Sequence, residues 1–201
     1  MRLVDSATEQ ELLERLLEKS KPPLPVIVTG RDYLLSTPFR YVSPWPSRFR
    51  RVGESGIWYG AHRVETACAE VGYWRWRFLM ESDGLREQTL FIEFTVFQAR
   101  VEGIGIDLTQ LPWLRASALW THPTDYTACQ ALATAARRRD VQWIRYASVR
   151  DPNHGPAGAV LHPCVLSLPR ATVQQTWAAR VQRDVVAFSH GGDTIEFQTS
   201  R

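Results

Sequence analysis

Cysteine is scarce and poorly placed for pairing: Cys68, Cys129 and Cys164 are odd in number, far apart, and lack CxxC or Cys/His spacing. That argues against a disulfide framework and a zinc site and favours a reducing compartment. No apolar run approaches the length of a membrane span. The opening Met1-Arg2-Leu3-Val4-Asp5 lacks the apolar core of a signal peptide, so the expectation is a cytoplasmic protein with no membrane partner. Excess charge is also small. Lys and Arg number 24 against 21 Asp and Glu, a net +3, and such totals do not require a nucleic-acid partner. His62, His122, His154, His162 and His190 show no HExxH or paired spacing, so no metal is expected. Gly53-Glu54-Ser55-Gly56 is too short for a phosphate-binding glycine loop, and no Ser-His-Asp spacing accompanies Ser148.

What is present belongs to a folded protein. With 201 residues, 44% of them hydrophobic, 22% charged and eight of them tryptophan, the chain can bury one good core and is short for two. A single domain over residues 1–201 is expected, free of internal repeats and low-complexity segments.

Hydrophobic spacing and capping signals predict mixed secondary structure. Ser6-Ala7-Thr8-Glu9 reads as a capping box, and Leu12, Leu13, Leu16 and Leu17 follow as an apolar stripe. A helix is therefore expected over about 6–19, acidic on its other face and ending before Pro22-Pro23. Residues 33–51, broken by Pro38, Pro44 and Pro46, read as short strands and loops feeding a strand over 56–61. Small residues favour a helix over about 64–76, although the alternation Trp74-Arg75-Trp76-Arg77 also fits a strand. Residues 89–98 read as a strand buried on both faces, and 125–139 as a helix capped by Thr124 or Asp125. Strands are expected over 141–146, 159–168 and 194–199. The fold class is α+β.

Several residues stand out chemically. Arg40 and Arg48 lie in short proline-interrupted segments that can turn two guanidinium forks toward one cleft, and such forks match the oxygens of a pyrophosphate; either alone is equally a surface arginine. Tyr59 sits in an apolar strand before Gly60 and Ala61, which leave room for a flat ring. A cationic ring there would gain roughly 0.5 to 2 kcal/mol, and a core tyrosine with a satisfied hydroxyl is the plain alternative. Glu70 interrupts the small, apolar run Ala67, Cys68, Ala69 and Val71, and a buried carboxylate needs a partner. A salt bridge to Arg75 or simple exposure would also account for it. Ser148 ends a strand before Asp151-Pro152-Asn153-His154-Gly155, where it can bond a phosphate, the glutamate or only its own turn. The run Tyr73 to Phe78 mixes bases with aromatics, which core packing with cation–π contacts explains better than nucleic-acid stacking.

Phe39-Arg40-Tyr41, Ser47-Arg48-Phe49-Arg50, Gly56-Ile57-Trp58-Tyr59-Gly60-Ala61, Thr66-Ala67-Cys68-Ala69-Glu70 and Ile144-Arg145-Tyr146-Ala147-Ser148 together resemble the RES-domain family, named for its arginine, glutamate and serine. The resemblance covers roughly residues 38–165. It implies an ADP-ribosyltransferase-like fold, with a central split β-sheet core flanked by helices, and NAD as substrate rather than cofactor. It also implies the toxin of a bacterial toxin–antitoxin pair, partnered by a cognate antitoxin, of Xre type, through which nucleic acid would be met only indirectly. Carried over by position, Arg48, Tyr59, Glu70 and Ser148 match the family's catalytic pattern, and Arg40, Arg48 and Tyr59 its NAD-binding residues, with Arg48 expected beside Glu70. The implied reaction is cleavage of the nicotinamide–ribose bond by hydrolysis or phosphorolysis. Transfer of ADP-ribose to a protein target is the alternative, and a non-catalytic binding module the third. The segment between Arg40 and Arg48 is shorter than the glycine-rich stretch associated with many members. The acidic first helix and the strands beyond Leu168 fall outside the resemblance.

Overall fold

The computed structural model describes residues 6–23, 25–26 and 29–199. Ser6 caps the first helix, α1 (Ala7–Ser20), its Oγ accepting the Glu9 amide at 3.2 Å. That satisfies one of the donors that a helix start leaves free. The leucine stripe of α1 is not covered, for Leu12, Leu16 and Leu17 are all exposed.

Residues 33–51 depart from the expected strands. Tyr33–Arg40 is a helix, α2, capped by Asp32, whose Oδ1 accepts the Leu34 amide at 3.0 Å. Leu35 and Phe39, one turn apart, are buried beneath it. Pro38 reads as a break in the sequence, but it lies inside this helix, where its missing amide forgoes the one backbone bond to the carbonyl a turn back. The chain then runs irregularly to β1 (Trp58–Ala61) and into α3 (Val64–Glu81). The helix-or-strand ambiguity over Trp74–Arg77 is thus settled as helix, longer than the expected 64–76.

β2 (Leu90–Gln98) lies where a strand was expected but is not buried on both faces. Leu90, Ile92, Phe94 and Val96 pack inward, whereas Phe91 is 79% exposed, the alternation of a sheet with one covered face. After β3 (Gly105–Asp107) come a 3-10 turn (Trp113–Ala116), α4 (Ser117–Trp120) and α5 (Thr127–Arg137). Asp125 Oδ1 accepts the Thr127 amide at 2.9 Å, but the N-cap position is Tyr126, which makes no side-chain cap bond, so the expected cap at Thr124 or Asp125 is one residue or more too early. β4 (Trp143–Ala147) and β5 (Pro156–Val160) follow. The strand expected over 159–168 is cut short because residues Pro163–Val165 form a 3-10 turn, begun by a proline and capped by His162. β6 (Thr172–Val181), β7 (Val185–His190) and β8 (Asp193–Gln198) complete the chain; of these, only the last was placed from sequence.

Two four-stranded sheets result, one ordered β1-β5-β4-β3 and the other β2-β6-β7-β8. The β3–β4 pair is parallel and every other pair is antiparallel. α3 is the shared element. Its Cys68 joins the core of the second sheet with Trp177 and Phe188. A Cβ at Gly72 would come within 3.2 Å of Phe188 and Val186, so the glycine lets the helix lie close. The opposite face of α3 looks toward β1 and the end of β4. The helices and two sheets make an α+β fold, the class that the sequence predicted. No helix among the described residues is long and apolar enough to cross a membrane.

Candidate active site

A cleft of about 390 Å³ opens between α3, β1 and the loop before β1. Ala67, Glu70, Val71 and Trp74 line one wall; their spacing of three and four places them on one helix face. Tyr59, Gly60 and Ala61 of β1 form a second wall, with Arg48, Tyr126, Tyr146 and Arg150 around them. Clefts of this size are the usual scale of small-molecule sites.

Glu70, partly buried, is held from the end of β4. Ser148 Oγ donates to Glu70 Oε1 at 2.6 Å, and the same Oγ accepts the amides of Arg150 and Asp151, both at 3.1 Å. Ser148 is fully buried, so its hydroxyl has no freedom to turn elsewhere. The loop behind it is built on Asp151. Asp151 Oδ2 accepts Thr66 Oγ1 at 2.7 Å and the Gly155 amide at 3.2 Å, while Oδ1 accepts the Asn153 amide at 2.9 Å. A Cβ at Gly155 would stand 2.6 Å from Asp151 Oδ2 and closer still to Thr66 Oγ1, so glycine is required there. Burial alone would raise the Asp151 pKa. The hydrogen bonds from Thr66, Asn153 and Gly155 and the nearby His154 outweigh it, holding the carboxyl below its ordinary value.

Arg48 is 8% exposed and lies in the cleft wall. Its Nη1 donates to the carbonyls of Trp120 at 2.9 Å and His122 at 3.0 Å, and its guanidinium lies 4.7 Å from the centre of the Tyr126 ring. No ion pair joins it to Glu70 among the described residues; the partner of that carboxylate is Ser148. Tyr59 presents its ring to the cleft and is 38% exposed. Its hydroxyl end is nevertheless enclosed, sharing a hydrogen bond with Ser47 Oγ at 2.9 Å and accepting the Phe49 amide at 3.2 Å. That enclosure pushes the phenol pKa up, partly offset by the bond to Ser47. The site therefore unites a carboxylate oriented by a buried serine, a fixed guanidinium and an aromatic wall.

Among known protein families, the RES domain matches residues 24–182. The chain belongs to the RES domain family. That family is associated with NAD-related toxin function. No curated protein matches the chain. The RES match spans every residue that lines the cleft, leaves α1 outside, and ends just after β6.

Within the RES region, two predicted site residues do not line the cleft: Ser148, fully buried, acts on it through Glu70, and Arg40 is engaged elsewhere. Its Nη1 pairs with Glu18 Oε1 of α1 at 2.6 Å and its Nε donates to the Pro22 carbonyl at 2.5 Å. The fork of Arg40 and Arg48 expected around one pyrophosphate is not formed, because Arg40 is engaged with α1 and Pro22 and does not line the cleft. Arg75, weighed as a partner for Glu70, lies over the Phe94 ring at 5.6 Å instead. Among the described residues no group of three or more His, Cys, Asp or Glu side chains could hold a metal ion.

The RES cleft also contains residues that sequence reading passed over. Arg150 stacks 3.6 Å over Tyr73 and donates to the Pro123 carbonyl at 2.6 Å. Tyr146 stands two residues before Ser148, and period-two alternation along β4 was the available signal that both point the same way. Trp74 was assigned to core packing; it is 48% exposed at the cleft wall, with Arg77 at 5.5 Å from its ring.

Proposed function

We propose that the cleft binds NAD and that Glu70 promotes cleavage of the bond between nicotinamide and ribose. In that reaction the C–N bond breaks with its electron pair leaving on the ring nitrogen, so the pyridinium becomes neutral and positive charge passes to the ribose. A carboxylate fixed beside that carbon stabilises the charge as it develops. Fixed electrostatic partners of this kind are commonly worth about 100- to 1,000-fold in rate.

The observation that carries this reading is the 2.6 Å hydrogen bond by which buried Ser148 holds Glu70 in the cleft wall. Ser148 occupies Oε1, Oε2 makes no hydrogen bond to a described residue and is free to meet a ligand, and the amides on Ser148 Oγ prevent the serine from drifting. Arg48 supplies a fixed cation for phosphate oxygens, and the Tyr59 ring a flat surface for the nicotinamide. Two sheets meeting at α3, with the cleft beside that helix, suit an ADP-ribosyltransferase-like architecture. An enzyme that depletes NAD also needs restraint in its own cell, which is the role assigned to a cognate antitoxin.

Incubation of the purified protein with NAD, followed by chromatography for free nicotinamide, tests the proposal. Nicotinamide release with ADP-ribose as co-product indicates water as the acceptor. A phosphorylated ribose product that depends on added inorganic phosphate indicates phosphorolysis, and label retained on a protein indicates transfer. No nicotinamide under any of these conditions rejects the proposal.

A further inference from the structure

Tyr146 is 4% exposed and belongs to the core of the first sheet, its ring edge-on to Phe49 at a centroid distance of 5.0 Å. Phenylalanine would fill that space equally well. Yet the residue also lines the cleft, and its hydroxyl makes no hydrogen bond to any described residue. The neighbouring tyrosines differ: the Tyr59 hydroxyl is held by Ser47 and Phe49, and the Tyr126 hydroxyl by Pro123 and Arg150. The ring is buried, but the hydroxyl oxygen is not among the enclosed side-chain atoms left without a partner, so it opens into the cleft, where a ligand can take its proton in a hydrogen bond.

A second group in the same cleft is also open. Glu70 Oε1 is occupied by Ser148, while Oε2 has no partner among the described residues. Tyr146 lies on β4 and Ser148 is the first residue past its end, so one segment places the phenol and the serine that holds the carboxylate. The cleft floor therefore offers one bare donor and one bare acceptor. Burial, and then the charge of Glu70, push the phenol pKa well above its ordinary value, which keeps the hydroxyl protonated and able to donate. A vicinal diol fits this pair: one hydroxyl donates to the carboxylate and its neighbour accepts from the phenol.

We propose that Tyr146 is a specificity-determining residue that donates to one hydroxyl of the nicotinamide-side ribose while Glu70 Oε2 accepts from the adjacent one. The inference rests on the NAD reading and adds to it a ligand-contacting residue and the group that it recognises. The full chain and its Tyr146→Phe variant are compared on NAD and on two analogues, each lacking one of the two hydroxyls of that ribose. Nicotinamide release is the readout. The ratio of wild-type to variant kcat/KM is taken for each substrate, so the altered intrinsic reactivity of a deoxy sugar cancels.

The expected ratio is about tenfold for NAD and near one for the analogue that lacks the hydroxyl bound by Tyr146. A purely structural tyrosine would give the same ratio on all three substrates, and that result, or a ratio of one on NAD, overturns the inference while leaving the NAD reading in place. If the wild-type chain releases no nicotinamide from NAD, the NAD reading falls and this inference falls with it.

Discussion

Ser148 donates its hydroxyl proton to Glu70 at 2.6 Å across a separation of 78 residues, joining the end of β4 to the cleft face of α3. The serine oxygen is itself pinned by two backbone amides, so the carboxylate inherits its orientation from the loop over 148–155. Substitutions at the two ends of this bond should therefore behave differently. Glu70→Gln keeps an acceptor for Ser148 and should lower nicotinamide release about 100- to 1,000-fold with little change in Tm. Ser148→Ala frees the carboxylate and also strips the amides of Arg150 and Asp151 of their acceptor, so it should lose activity and about 1–3 kcal/mol of stability. Turnover assays beside denaturant unfolding separate the two; near wild-type turnover by a folded Glu70→Gln protein would refute the electrostatic role.

Arg48 is fixed by shape as much as by charge. One nitrogen serves two carbonyls, and the planar group lies over Tyr126. Lysine has neither the plane nor the fork. Arg48→Lys should raise the KM for NAD about tenfold and lower unfolding stability by about 1–3 kcal/mol. Unchanged KM with lowered stability would mean that this arginine only braces the loop ahead of α5.

The chemistry of the site was more legible in the sequence than its layout. Glu70 stood out because a carboxylate in a run of small apolar residues must be matched, and Ser148 was named as one possible match. Arg48 and Tyr59, singled out for their chemistry, also line the cleft. Arg40 does not, because proximity in sequence says nothing about which side of a helix faces the cleft, and residues 33–51 read in sequence as short strands and loops rather than as a helix. The second sheet was only partly visible. β6 alternates with mostly polar residues in its first half, Thr172 to Thr176, and becomes apolar only from Trp177. Tyr146 was hidden by the aliphatic and aromatic character of β4, since a residue that serves the core and the cleft together looks like core alone.

Acid should act through Asp151. Its carboxyl is held below its ordinary value because its hydrogen bonds and His154 outweigh burial. A group depressed in the folded state contributes stability above its unfolded pKa of about 3.9 and loses that contribution as pH falls through the folded value. The wild-type chain should therefore be more stable than Asp151→Asn at neutral pH, with the gap narrowing below about pH 4. Urea unfolding of both proteins at several pH values measures this. A gap that stays constant through the acid range would show that Asp151 acts by shape and not by charge.

Arg40 lies at the junction of α2 and α1, where it pairs with Glu18 and bonds the Pro22 carbonyl. Its own side chain is largely covered, whereas Glu18 is exposed and also bonds Lys21 at 2.6 Å. The bond to Lys21, followed by that to Arg40, holds the Glu18 carboxyl below its ordinary value. The leucines of α1 pack little, so this polar junction is a principal tether of the helix. Arg40→Ala should leave the kinetics of NAD consumption unchanged and speed proteolytic cleavage near residues 20–23. Raised ionic strength should speed the same cleavage in the wild-type chain, because pairs in contact with water are screened. A rise in the KM for NAD in the Arg40→Ala variant, without faster cleavage, would return this arginine to the substrate site and require α2 to turn toward the cleft when ligand binds.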